Sequence, residues 1–139
     1  MQLLNVLLAF FTPLIGGVMA SCGSIWCSDA GYNGVPYCTS ARPTVCTVSS
    51  VQVDRSYVDL YLYDNNCNRI GFLAEVRIGS GVNFDSQLPW VVVGNVNSPT
   101  VGFVGRYAGR KVGSGAVEPN ICYVAGPAKL QTCEVQFYC

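Results

Sequence analysis

Residues 57–63 read Tyr57-Val58-Asp59-Leu60-Tyr61-Leu62-Tyr63, and residues 72–78 read Phe72-Leu73-Ala74-Glu75-Val76-Arg77-Ile78. In the first run Val58, Leu60 and Leu62 point one way, while Tyr57, Asp59, Tyr61 and Tyr63 point the other. That period of two is the mark of a half-buried strand. The second run repeats it, with Phe72, Ala74, Val76 and Ile78 on one face and Glu75 and Arg77 on the other. Between them, Asp64-Asn65-Asn66-Cys67-Asn68-Arg69 supplies residues that bond their own main chain and tolerate left-handed backbone, so the two strands form a hairpin.

Working outward, short strands are expected over 43–54, 88–96, 100–107, 111–117, 121–125 and 130–139. In the last of these Cys133, Val135, Phe137 and Cys139 share a face. No stretch carries an apolar stripe at helical spacing. Short strands punctuated by turn residues predict an all-β protein, a small disulfide-rich antiparallel β-sandwich or barrel. Six glycines between Gly94 and Gly115 mark a strongly bent hairpin, since glycine weakens strands and permits bulges.

Residues 1–20 are apolar and uncharged and end in Val18-Met19-Ala20, which suits signal-peptide cleavage. The run is too short and too interrupted by Pro13 for a stable membrane span. Residues 21–139 are then a single disulfide-stapled β domain. The cysteines Cys22, Cys27, Cys38, Cys46, Cys67, Cys122, Cys133 and Cys139 all follow the leader. An even count in a short exported chain reads as four disulfides, with a connectivity that spacing cannot fix. A bridge from the N-terminal segment to the C-terminal strand is the pairing expected here.

The chain holds eight basic residues, eight acidic ones and no histidine. Zero net charge gives no basic stripe for nucleic acid. The absence of histidine removes Ser-His and Cys-His nucleophile pairs and histidine zinc sites. Asp64, Asn66, Asn68 and Glu75 fall at calcium-loop offsets, but Arg69 stands where that loop needs glycine and the flanks are strand-like, so turn chemistry accounts for them without a metal. Carboxylates remain as the residual route to a small glycosidase, yet no spacing selects two of them. A non-enzymatic protein without catalytic residues, metal or cofactor is therefore expected.

The candidate binding surface has two parts. Tyr57, Tyr61 and Tyr63, with Trp26 and Trp90 as neighbours, form either a flat aromatic platform for a sugar or a protein, or a face covered by a second layer. Arg106, Tyr107, Arg110 and Lys111 form a basic loop flexed by glycine.

A short leader, an even cysteine count and a cysteine at position 139 together resemble the small cysteine-rich secreted proteins of filamentous fungi, the candidate effector type associated with virulence. The resemblance is one of layout over the mature chain. It implies a secreted, extracellular monomer acting on an extracellular host protein or a cell-wall glycan, with a lectin-like wall-binding module or an antimicrobial, killer-type toxin as alternatives. Leu62-Tyr63-Asp64-Asn65-Asn66-Cys67 is also similar to the Tyr-containing hairpin of βγ-crystallin-like killer toxins, departing from it in the spacing to Gly71.

Overall fold

The computed structural model describes residues 37–113, 120–125 and 129–139. The leader 1–20, Cys22, Trp26, Cys27 and most of the expected strand end after Val112 lie outside the described residues. Among the described residues nine strands follow in chain order: β1 (Val45–Gln52), β2 (Tyr57–Tyr63), β3 (Arg69–Arg77), β4 (Gly81–Phe84), β5 (Val92–Val96), β6 (Phe103–Tyr107), β7 (Arg110–Val112), β8 (Ile121–Ala125) and β9 (Leu130–Tyr138). They build two antiparallel sheets, a five-stranded one ordered β3-β2-β1-β9-β8 and a four-stranded one ordered β4-β5-β6-β7. The all-β class is as expected.

The two sheets share one core. Val48, Val58, Leu60, Leu62, Val135 and Phe137 of the first pack with Phe84, Val92, Val96, Phe103, Tyr107 and Val112 of the second. Most of these side chains are fully buried, each contributing about 1.5–3 kcal/mol relative to exposure. β4 was not expected. Gly81-Val82-Asn83-Phe84 is short and half of it is Gly and Asn, and it is held by pairing along its length with Val92–Asn95 and by the burial of Phe84. β5 begins later than expected, after Pro89, which cannot donate to a ladder.

Within β5 and β6, Gly94 lies directly opposite Gly105 on the core face. A Cβ on Gly94 would stand 2.6 Å from Phe103 Cζ and 2.8 Å from the Gly105 Cα. The missing side chains leave room for the Phe103 ring to lie across the pair.

The alternation expected of β3 breaks. Val58 pairs with Val76, but Leu60 pairs with Leu73, so an extra residue bulges out of β3. Phe72 therefore joins the tyrosine face opposite Tyr61, while Val76 faces the core. Glu75 carries a positive φ of 51°, and its N–H donates to Asp59 Oδ1 at 2.8 Å. The Asp59 carboxylate is the clasp of this bulge.

Three disulfides are formed among the described residues. Cys38 joins Cys67, Cys46 joins Cys139 and Cys122 joins Cys133. The expected link from the N-terminal segment to the C-terminal strand is not the one Cys38 makes. It ties instead to the β2–β3 turn, because the segment before β1 runs back past that hairpin, with Ala41 N–H donating to Asn65 O at 3.0 Å. Cys122 and Cys133 are direct cross-strand partners with Cα atoms 4.1 Å apart, the close spacing of a non-hydrogen-bonded pair. Cys133, Val135 and Phe137 share the core face as expected, whereas Cys139 lies exposed beyond the end of β9.

Candidate functional site

The tyrosine face is the first candidate, and of its two expected readings the structure has the covered one. Tyr61 and Tyr63 are 1 % exposed each, and only Tyr57, at 37 %, reaches solvent. Tyr37 and Cys38 lie over the two rings, with Phe72, Ala125 and Leu130 closing the sides. Tyr37 is fixed there by its main chain. Its carbonyl accepts from Ser49 Oγ, and its N–H donates to the Tyr63 hydroxyl at 3.3 Å. Its ring is 5.4 Å from Tyr61, which in turn lies 6.1 Å from Tyr63 in a stacked pair. Burial pushes both phenols well above their ordinary titration range. These rings form a second, smaller core.

The carboxylates on this face are also engaged. Burial raises the Asp59 carboxyl, partly opposed by the Glu75 N–H that bonds it. Glu134 accepts from Thr39 N–H at 2.7 Å and from the Tyr123 hydroxyl at 2.8 Å, joining the segment before β1 to β8. Each carboxylate holds main chain in place. Asp64 does the same in its turn, accepting from the N–H groups of Asn66 and Asn68 and from Asn68 Nδ2 at 2.9, 2.9 and 2.8 Å. Slight desolvation acts to raise the Asp64 carboxyl, but these bonds outweigh it and hold it below its usual value. Among the described residues no group of three His, Cys, Asp or Glu side chains is placed to hold a metal ion.

The basic loop divides in two. Tyr107 pairs with Arg110 around Ala108 and Gly109, both at positive φ, 47° and 78°, which makes a two-residue hairpin of the I′ kind. This tight turn puts alternate residues on opposite faces. Arg106 and Lys111 stand opposite each other on the exposed outer face, where like charges side by side are unfavourable. Tyr107 and Arg110 belong to the inner face.

There they meet Trp90. A cleft of about 370 Å³ opens at this end of the molecule, lined from the four-stranded side by Pro89, Trp90, Tyr107 and Arg110 and from the five-stranded side by Thr44 and Tyr138. Its floor is firm, because the buried Tyr107 ring meets Phe137 edge-on at 5.4 Å. The Arg42 guanidinium lies 5.6 Å above the Tyr138 ring, and its Nη2 donates to the Tyr138 hydroxyl at 3.1 Å. Cys139 N–H donates to Thr44 O at 3.0 Å, and the Cys46–Cys139 bridge closes the same corner. Thr44 has a φ of 70°, which costs a β-branched residue on the order of 1–3 kcal/mol. Trp90 is 64 % exposed.

Of the residues expected to form a binding surface, the structure thus brings together Trp90, Tyr107 and Arg110. It separates them from Tyr57, Tyr61, Tyr63, Arg106 and Lys111. Thr44, Pro89 and Tyr138 were not foreseen, and no local pattern announces them, because they meet only through the pairing of β1 with β9 and the packing of the two sheets. Compared with protein-family models, with curated proteins and with solved structures, the chain matches none.

Proposed function

We propose that this protein is an exported, effector-like binding protein that acts outside the cell on a host or competitor target, without catalysis, and that the cleft between the sheets is its recognition site. The observation that carries the reading is the exposed Trp90 ring beside Arg110 in a cleft of small-ligand size, since sites for small ligands run to about 300–1,000 Å³ and combine aromatic walls with a few polar groups. Three bridges among the described residues suit an oxidising, protease-rich compartment. Among the described residues no Asp or Glu side chain lines the cleft, which favours binding over carboxylate chemistry there.

The lectin-like alternative has its own support, because a flat exposed indole is a surface on which a sugar ring stacks. The test is a pull-down of the oxidised protein, with a Trp90→Ala variant alongside, against cell-wall polysaccharides and against extracellular host proteins. Retention by one of these that the variant loses is the expected result. Equal retention of wild type and variant would move the recognition site elsewhere.

A further inference from the structure

We infer that this cleft takes an acidic sugar, with Arg110 holding its carboxylate and the Trp90 indole stacking on its ring; the inference rests on the cleft being the recognition site. Arg110 is the starting point. It projects from the short edge strand β7 at the register position opposite the buried Tyr107, is itself exposed and lines the cleft. Among the described residues it makes no ion pair and no side-chain hydrogen bond. Arginine presents its donors as a planar fork that matches a carboxylate two bonds at a time. A cationic fork held at a cleft lined by no Asp or Glu side chain among the described residues suits an anion.

The rest of the wall asks for a ring. The Trp90 indole offers an apolar face to solvent at 64 % exposure, beside Pro89. The apolar C–H face of a pyranose suits such a surface, and indole rings serve at interfaces because one group gives both apolar area and an N–H donor. Among the described residues the Trp90 N–H, the Tyr107 hydroxyl and the Thr44 hydroxyl have no hydrogen-bond partner, so donors and acceptors for sugar hydroxyls stand around the same space. A glutamate-rich peptide would satisfy Arg110 but has no ring to lay on Trp90.

The site is also built in advance of binding. The Cys46–Cys139 bridge, the Arg42–Tyr138 contact and the I′ turn at Ala108 and Gly109 fix three of its sides. Left-handed Thr44 is a strained residue kept at the cleft, and strain of this kind gathers at functional positions. Preorganisation limits the ordering cost of binding a small ligand.

The test is titration calorimetry with an oligogalacturonide, its fully methyl-esterified form, a neutral chitin oligomer and a glutamate-rich peptide. The acid is expected to bind, and its ester to bind on the order of tenfold to a hundredfold more weakly, the range for loss of a charged hydrogen-bond partner. Arg110→Gln should weaken the acid by a similar factor and erase the preference over the ester. Arg110→Lys should keep part of the affinity as a point charge. Trp90→Ala should weaken acid and ester alike. All variants are first matched to wild type in urea midpoint. Equal binding of acid and ester, an unchanged Arg110→Gln variant, or tighter binding of the peptide would each overturn the inference. If no saccharide binds while Trp90→Ala still loses a protein target in the pull-down, the acidic-sugar assignment fails and the binding-protein reading survives.

Discussion

Replacing Gly94 by alanine tests the packing of the four-stranded sheet most directly. In an unencumbered strand the change should stabilise, because glycine costs roughly 0.5–1 kcal/mol relative to alanine through lost chain freedom. At Gly94 the new Cβ meets the Val104 carbonyl oxygen, the Gly105 Cα at 2.8 Å and Phe103 Cζ at 2.6 Å. Two of these three are backbone atoms that cannot move by changing rotamer, so the clash belongs at the upper end of overpacking costs, about 3 kcal/mol. The net expectation is a loss of about 2 kcal/mol, a large part of the 5–15 kcal/mol that holds a typical domain together. Gly81 provides the control, since nothing lies within 4 Å of its virtual Cβ. Gly81→Ala should be neutral or slightly stabilising. The assay is equilibrium urea unfolding with the disulfides intact, read by far-ultraviolet circular dichroism, with the slope checked for constancy. Coupling between Gly94→Ala and Phe103→Leu in a double-mutant cycle should appear, because the two sites touch. If Gly94→Ala matched Gly81→Ala in sign, the close approach of β5 and β6 would be refuted.

Further outcomes follow from the bridges, the buried acid and a buried hydroxyl. Loop-closure entropy for sequence separations of 93, 29 and 11 residues gives about 4.7, about 3.6 and about 2.8 kcal/mol for Cys46–Cys139, Cys38–Cys67 and Cys122–Cys133. Paired Cys→Ala variants should therefore lose stability in that order in urea, and the reverse order would rule out chain entropy as the source. Burial raises the Asp59 carboxyl above 3.8, so the folded protein keeps a proton that the unfolded chain gives up. The stability this contributes is present below pH 3.8 and declines as pH rises through the folded value. Asp59→Asn removes that slope, so the variant should gain on wild type between about pH 3 and about pH 7, and a parallel pair of pH profiles would contradict it. Among the described residues Ser50 Oγ, buried on the core face of β1, has no hydrogen-bond partner. Ser50→Ala should raise the urea midpoint, by up to about 1 kcal/mol of stability, whereas a lowered midpoint would mean that the hydroxyl is satisfied.

What the sequence disclosed was local. The alternation of Val58, Leu60 and Leu62 against the tyrosines, and of Cys133, Val135 and Phe137 along β9, is a property of neighbouring residues and survives in the structure. The bulge at Glu75 was not legible, because neither Ala74 nor Glu75 is a residue that signals left-handed backbone. It reverses the facing of Phe72, and the clasp that holds it, Asp59, is 16 residues away. The cover over Tyr61 and Tyr63 comes from Tyr37, 26 residues before the hydroxyl its N–H meets. The aromatic face looked like a platform because a strand's outer face says nothing of what crosses it. Trp90, Tyr107 and Arg110 were recognisable as unusual residues, but the cleft they share depends on how the two sheets meet, which no window of sequence contains.

The bridges are distributed unevenly. Between Cys67 and Cys122 the sequence has no cysteine, and β4 to β7, from Gly81 to Val112, fall wholly inside that interval. One leaf of the molecule is riveted along its margins, while the other is held to it without bridges, by side-chain packing, by the chain at its two ends and by hydrogen bonds such as Gln87 N–H to Ile70 O at 3.1 Å and Asn120 Nδ2 to Val101 O at 2.9 Å. Opening is then expected to proceed like a hinged cover, with amides of 81–112 exchanging hydrogen sooner than those of β1, β2 and β9. The cleft lies on the seam where that cover lifts, so a ligand bridging Trp90 and Tyr138 would act as its latch.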